Sequence, residues 1–158
     1  MTPDPETTSD TLGRRIEAAM RDAMRARDEQ RTQTLRMVMA AAHNRRIALG
    51  RELTDEEVVD VITRQVKQRR ESIEMYVAAG RTDRADLEGA EAAILSEFLP
   101  EQLGEAEIED LAREAIAETG ATSPADMGRV MGALSPRTRG RADGRAVSDT
   151  VRRLLAER

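Results

Sequence analysis

Thr54-Asp55-Glu56-Glu57-Val58-Val59-Asp60-Val61-Ile62-Thr63-Arg64-Gln65-Val66 is the stretch that decides the fold. A threonine followed three residues later by glutamate, just ahead of an apolar run, is a capping box. The Thr54 hydroxyl accepts from the Glu57 amide, and the Glu57 carboxylate reaches back to the Thr54 amide. The acids of that first turn also complement the positive end of a helix dipole. Val58, Val61, Ile62, Val66, Ile73 and Val77 then recur at helical spacing as far as Gly80, a period that no strand sustains. The spacing predicts one long helix. Within it, Lys67-Gln68-Arg69-Arg70 reads as a solvated face rather than a binding site.

The same period extends outward in both directions. Residues 1–9 carry Pro, Thr, Ser and acid without periodicity and are expected to be disordered. Leu12, Ile16, Ala19, Met20, Ala23 and Met24 stripe a first helix that pauses near Arg27-Asp28. Leu35, Val38, Met39, Ala42 and Ile47 stripe a second, which Gly50 stops. After Gly80, Leu87, Ala90, Ile94, Leu95 and Phe98 mark another, and Pro100 closes the set. Residues 10–99 thus read as a helical bundle of three to four helices with short connections.

Pro100 to Gly104 reads as a domain boundary. Beyond it Ile108, Leu111, Ala112, Ala115 and Ile116 stripe a helix ending at Gly120. Ser123 is the expected N-cap of the next, with Pro124 at its first position and Met127, Val130, Met131 and Leu134 on one face. Pro136 to Gly140 is expected to be a basic loop, and Asp143 to cap a last helix carrying Val147, Val151, Leu154 and Leu155. Residues 100–158 therefore read as a small three-helix domain.

Composition agrees with an all-α fold and excludes several chemistries. The chain has 158 residues, 39% apolar and 35% charged, with one Tyr (Tyr76), one Phe (Phe98) and no Trp. A core of Leu, Ile, Val, Met and Ala suits packed helices better than sheets, and the methionines read as core filling. The absence of cysteine removes disulfides, thiolate metal sites and cysteine nucleophiles. A single histidine, His43, cannot build a His-rich metal site or a histidine-paired triad, and it reads as an ordinary helix-surface residue. No spacing of carboxylates or nucleophiles points to a catalytic residue, no P-loop is present, and neither a metal nor a cofactor is expected. No apolar run approaches a membrane span and the first residues lack a signal peptide's pattern, so a cytoplasmic protein is expected.

The net charge of −5 conceals a segregation. Residues 101–123 hold seven acids against Arg113, a balance of −6, whereas 124–158 hold eight arginines against four acids, a balance of +4. Within 123–147 lie Gly128, Gly132, Gly140 and Gly144 beside Arg129, Arg137, Arg139, Arg141 and Arg145. Each glycine in a helix interior costs about 1 kcal/mol relative to alanine, so something must offset it. Gly128 and Gly132 are expected at tight helix contacts, and Gly140 and Gly144 exposed in a loop. Arg137, Arg139, Arg141 and Arg145, in or beside that loop, match the electrostatic footprint of nucleic-acid binding and, equally by this feature alone, a solvated basic loop. With no aromatic residues to stack bases, a folded RNA held by its phosphates fits better than a single strand.

Several separated motifs together resemble the GatB/YqeY family. They are Leu35-Arg36-Met37-Val38, Leu53 to Glu57, Gln68 to Ile73, Ile94 to Leu103, Ala125 to Ala133, and Gly140 to Gly144 with the Val147, Val151 and Leu155 stripe. The resemblance covers roughly residues 10–157 and is greatest to stand-alone YqeY-like members. The family's other branch is the C-terminal tail of the B subunit of the tRNA-dependent Asp/Glu amidotransferase. The resemblance implies a helical N-terminal domain and a three-helix C-terminal one, the latter a tail held to contact tRNA. It implies RNA contacts at Gly128, Arg129, Gly132, Arg139, Gly140, Arg141, Gly144 and Arg145. Gly104 stands where the family usually has a serine N-cap.

The resulting expectation is a non-catalytic accessory protein that binds RNA, with tRNA, tRNA-charging proteins or amidotransferase proteins as partners. Two alternatives stay open. One is an adaptor of the tRNA-charging machinery whose bundle or acidic 101–118 helix docks on an enzyme. The other, implied by the family, is carbon–nitrogen ligase activity with glutamine as amide donor. No segment of the chain matches that catalytic domain or its glutaminase subunit, so the residues support no autonomous catalysis.

Overall fold

A computed structural model of the protein describes residues 11–158; the expectation for 1–9 lies outside the described residues. Among them every regular element is helical. The chain divides into two compact units, Met1–Leu99 and Pro100–Arg158.

The first unit holds α1 (Leu12–Arg25), α2 (Glu29–Leu49), α3 (Asp55–Ala78) and α4 (Thr82–Ser96). Leu12, Ile16, Leu35, Val38, Val58, Ile62, Val66 and Leu95 form its core, with Phe98 and Leu99 packed against it. The pause between α1 and α2 is a single left-handed residue, Arg27 at φ 57°. Asp28 then caps α2 by accepting from the Arg31 amide at 3.0 Å. The Thr54 capping box forms as the sequence indicates, with the Glu57 carboxylate 2.8 Å from the Thr54 amide. Arg51 forks onto that carboxylate at 2.8 and 3.0 Å. Arg51, and after it the Thr54 backbone bond, hold Glu57 down to about 2.

Three expectations for this unit are corrected. Arg69 is not on a solvated face. It is buried on α3, its Nε donating to Glu91 of α4 at 3.1 Å and its Nη1 to the Gln65 carbonyl at 3.3 Å. A guanidinium carries enough apolar stem and enough donors to be buried once a carboxylate is in reach. Met24, Met37 and Met75 are exposed, Met75 at 72%, so methionine does not serve only the core. Ile47, Val77 and Leu87, which helical spacing assigns to core stripes, are likewise exposed. Spacing identifies a stripe but not whether another helix reaches along its whole length.

The second unit holds α5 (Glu105–Thr119), a 3-10 turn (Pro124–Asp126), α6 (Met127–Thr138) and α7 (Gly144–Ala156). Ile108, Ala112, Ala115, Ile116, Val130, Leu134, Val147, Val151, Leu154 and Leu155 are buried together, and Met127 and Met131 pack against them. Gly104 caps α5 without a side chain, and the Glu107 carboxylate accepts from its amide at 2.8 Å. Two boundaries differ from expectation. Ser123 precedes the 3-10 turn, so α6 begins later, at Met127. α6 also continues through Pro136 to Thr138 where a loop is expected. Proline in a helix removes the bond to residue i−4 and crowds its carbonyl; that residue is Gly132, which is exposed, so its carbonyl has room to tilt outward.

Candidate nucleic-acid interface

Early in the 123–147 stretch one carboxylate binds two adjacent backbone amides and an arginine. Asp126 accepts from the Thr122 amide at 2.9 Å and the Ser123 amide at 3.3 Å. It also pairs with Arg129 at 2.8 Å. The Thr122 backbone bond, then Arg129, lower it to about 2. Arg129 in turn donates to the Thr119 carbonyl at the end of α5, 3.2 Å away. A candidate RNA contact therefore has a structural task as a C-terminal cap.

Arg137 is similarly engaged. Its guanidinium lies 2.6 Å from Glu114 and 3.9 Å from Glu118, both on α5. Arg153 of α7 pairs with Glu109 of the same helix at 2.9 Å. The charge segregation seen along the sequence is therefore partly cancelled in space: the acidic 101–123 segment faces the arginines of the basic one.

The loop after α6 is held by the strap that precedes α5. The Leu103 amide donates to the Arg141 carbonyl at 2.7 Å. Gln102 donates from its side-chain amide to the Gly140 carbonyl at 2.8 Å and to Pro100 at 2.7 Å. Arg141 Nε donates to the Glu101 carbonyl at 3.2 Å. Gly140 adopts φ 71° and is buried beneath these bonds, a backbone angle that glycine takes without the cost a Cβ imposes. The expectation of an exposed Gly140 is thus corrected: its conformational freedom serves the turn. Gln102 is the functional candidate that sequence reasoning missed. Its signals were its place in the Ile94–Leu103 motif and its nearness to Pro100, in a segment read as a boundary.

The other glycines also differ from expectation. Gly128 and Gly132 are exposed, and a Cβ built on either meets nothing within 4 Å. They are not packing glycines. With an i,i+4 spacing they leave about one turn on one side of α6, from Gly128 to Gly132, bare of side chains. Gly144, at the first position of α7, is exposed as expected. Arg145 beside it is exposed and makes no ion pair among the described residues, while Asp143 caps α7 through the Arg145 amide at 3.2 Å. Arg139 is exposed and Arg141 half-buried.

The structure brings Arg139, Arg141, Gly144 and Arg145 together around one loop. It leaves Gly128 and Arg129 at the other end of α6, about 16 Å away at the helical rise. Among the described residues no group of His, Asp or Glu is arranged to hold a metal ion.

Two small all-helical units carrying these motifs in this order define the class, and the comparisons name it. The chain belongs to the family of Yqey-like proteins, whose family model matches residues 13–155. It is 30% identical over 146 residues to the altered inheritance of mitochondria protein 41, mitochondrial, of Pyrenophora tritici-repentis, covering 89% of this chain and 79% of that one. It is 28% identical over 108 residues to the protein of the same name from Lachancea thermotolerans, covering 66% of this chain and 58% of the relative. Both relatives are mitochondrial by name, which overturns the cytoplasmic expectation. That expectation read a compartment from the want of a long apolar helix, which specifies no compartment.

Proposed function

We propose that the protein is an RNA-binding accessory factor, without catalytic residues of its own, whose 128–145 surface receives the phosphate backbone of a folded RNA, tRNA foremost. The observation that carries this reading is the loop surface of Arg139, Arg141, Gly144 and Arg145, continued along α6 by two exposed glycines. Arginine offers planar, forked donors matched to phosphate oxygens. A helix side bare of side chains admits a sugar–phosphate chain to van der Waals contact with the backbone. Such a surface reads shape and charge, which is how proteins grip double-stranded regions of RNA. The resemblance to an amidotransferase tail held to contact tRNA supports the same partner. Arg129 and Arg137 do not enter this reading as phosphate ligands, because Asp126, Glu114 and Glu118 already engage them.

The test is a titration of the protein with bulk tRNA across a range of salt concentrations. Binding should weaken steeply with salt, and each of Arg139→Ala, Arg141→Ala and Arg145→Ala should lower the slope of log K against log salt by about 1. Undetectable binding at low salt refutes the proposal.

A further inference from the structure

Arg129 and Arg137 are both engaged away from the phosphate surface, but in different ways. Arg129 caps the Thr119 carbonyl, and its partner Asp126 also holds two backbone amides, so that pair belongs to the fold. Arg137 meets two side chains instead. Its Nη2 lies 2.6 Å from Glu114 and its Nη1 3.9 Å from Glu118, on successive turns of α5. All three side chains are open to water, Arg137 at 37%, Glu114 at 56% and Glu118 at 65% exposure. Ion pairs this exposed contribute little to stability, yet they decide where a guanidinium points. Arg137 occupies the last turn of α6, two residues before Arg139, where the helix runs into the arginine loop.

We propose that Glu114 and Glu118 withhold Arg137 from the RNA, and so set both the edge and the strength of the proposed interface. The inference rests on the RNA-binding reading above. Carboxylates and phosphates compete for the same forked donors. Both terminal nitrogens of Arg137 are turned to α5, so a phosphate arriving at that edge meets two negative charges before it meets the guanidinium. The two glutamates are a negative border. An RNA backbone is received across the loop and kept off α5, with one contact fewer than the arginines of α6 and the loop could supply. Neutralising the glutamates releases Arg137 as a further phosphate ligand. Both are more than half exposed, so their replacement leaves the core of the second unit untouched.

The test is the tRNA salt titration applied to four forms of the full chain: the unaltered protein, Arg137→Ala, Glu114→Gln/Glu118→Gln, and the triple variant that joins them. Arg137→Ala alone should leave the slope of log K against log salt unchanged, unlike Arg139→Ala. The double glutamine variant should bind more tightly at low salt, with a slope steeper by about 1, the signature of one added phosphate contact. The triple variant should return to the slope of the unaltered protein. A slope lowered by Arg137→Ala alone overturns the proposal, because Arg137 would then already hold a phosphate. So does an unchanged slope in the double variant. A triple variant as steep as the double also overturns it, since the glutamates would then act by diffuse repulsion and not through Arg137. An unaltered chain that binds no tRNA refutes the RNA reading and this inference with it, whereas binding that ignores the glutamates refutes this inference alone.

Discussion

Gln102 donates its side-chain amide to the Gly140 carbonyl at 2.8 Å, across 38 residues of sequence. With the Leu103 amide on the Arg141 carbonyl, this bond holds the loop between α6 and α7. The arginine loop of the proposed interface is therefore shaped by a segment outside it.

Replacing Gln102 by alanine should cost about 1 kcal/mol, the net value of a hydrogen bond to a partly buried acceptor. The Leu103 amide, whose acceptor belongs to the same loop, should then exchange with solvent faster. Affinity for tRNA should fall although no arginine has changed. Amide exchange followed by NMR together with the salt titration checks both; unchanged Leu103 protection would mean the strap holds without Gln102.

Gly128→Ala and Gly132→Ala should each stabilise the free protein by about 0.5–1 kcal/mol, because alanine is the better helix former and the added Cβ meets no neighbour. The same substitutions should weaken tRNA binding by putting a methyl group where the backbone is bare. A rise in melting temperature paired with a loss of affinity is the expected result. Stabilisation with unchanged affinity would remove α6 from the interface.

Asp126, held at about 2, makes the second unit sensitive to acid. Its folded value lies below the ordinary carboxylate value, so the unfolded chain binds the proton more readily. The stabilisation is complete above about pH 4 and disappears as pH falls through the folded value of about 2. Asp126→Ala should flatten that acid limb in thermal melts and free the Thr122 and Ser123 amides to exchange.

The Arg69–Glu91 pair tests the first unit. Removing the carboxylate with Glu91→Ala leaves a guanidinium buried at 6% exposure. The loss should approach the roughly 3 kcal/mol typical of breaking a buried pair, moderated because Glu91 is itself partly exposed. Arg69→Met with Glu91→Leu should recover most of it. Chemical denaturation of the single and double variants measures the difference.

Caps and stops were legible in the sequence because they are local. The box at Thr54, the glycine after α2 and the pause at Arg27 depend on residues at most four apart. Long-range burial was not. Nothing near Arg69 announces that Glu91 waits on another helix, and nothing near Gly140 announces Gln102. Gly128 and Gly132 were misread because a glycine in a helix has two explanations, close packing and open surface, that leave the same trace in a sequence. The arginines were legible as a group, but their division was not. Whether each faced Asp126, Glu114 or solvent depended on how α5 lies against α6 and α7.

The apolar side chains on the outer side of α2 have a consequence for solubility. Met37 and Ile47 are exposed there, and natural sequences place charges beside such residues as gatekeepers against unwanted association. Arg36, exposed and next to Met37, stands in that position. Neutralising it would make that side of α2 more adhesive. Its charge helps keep copies of this protein apart at the concentrations a cell holds.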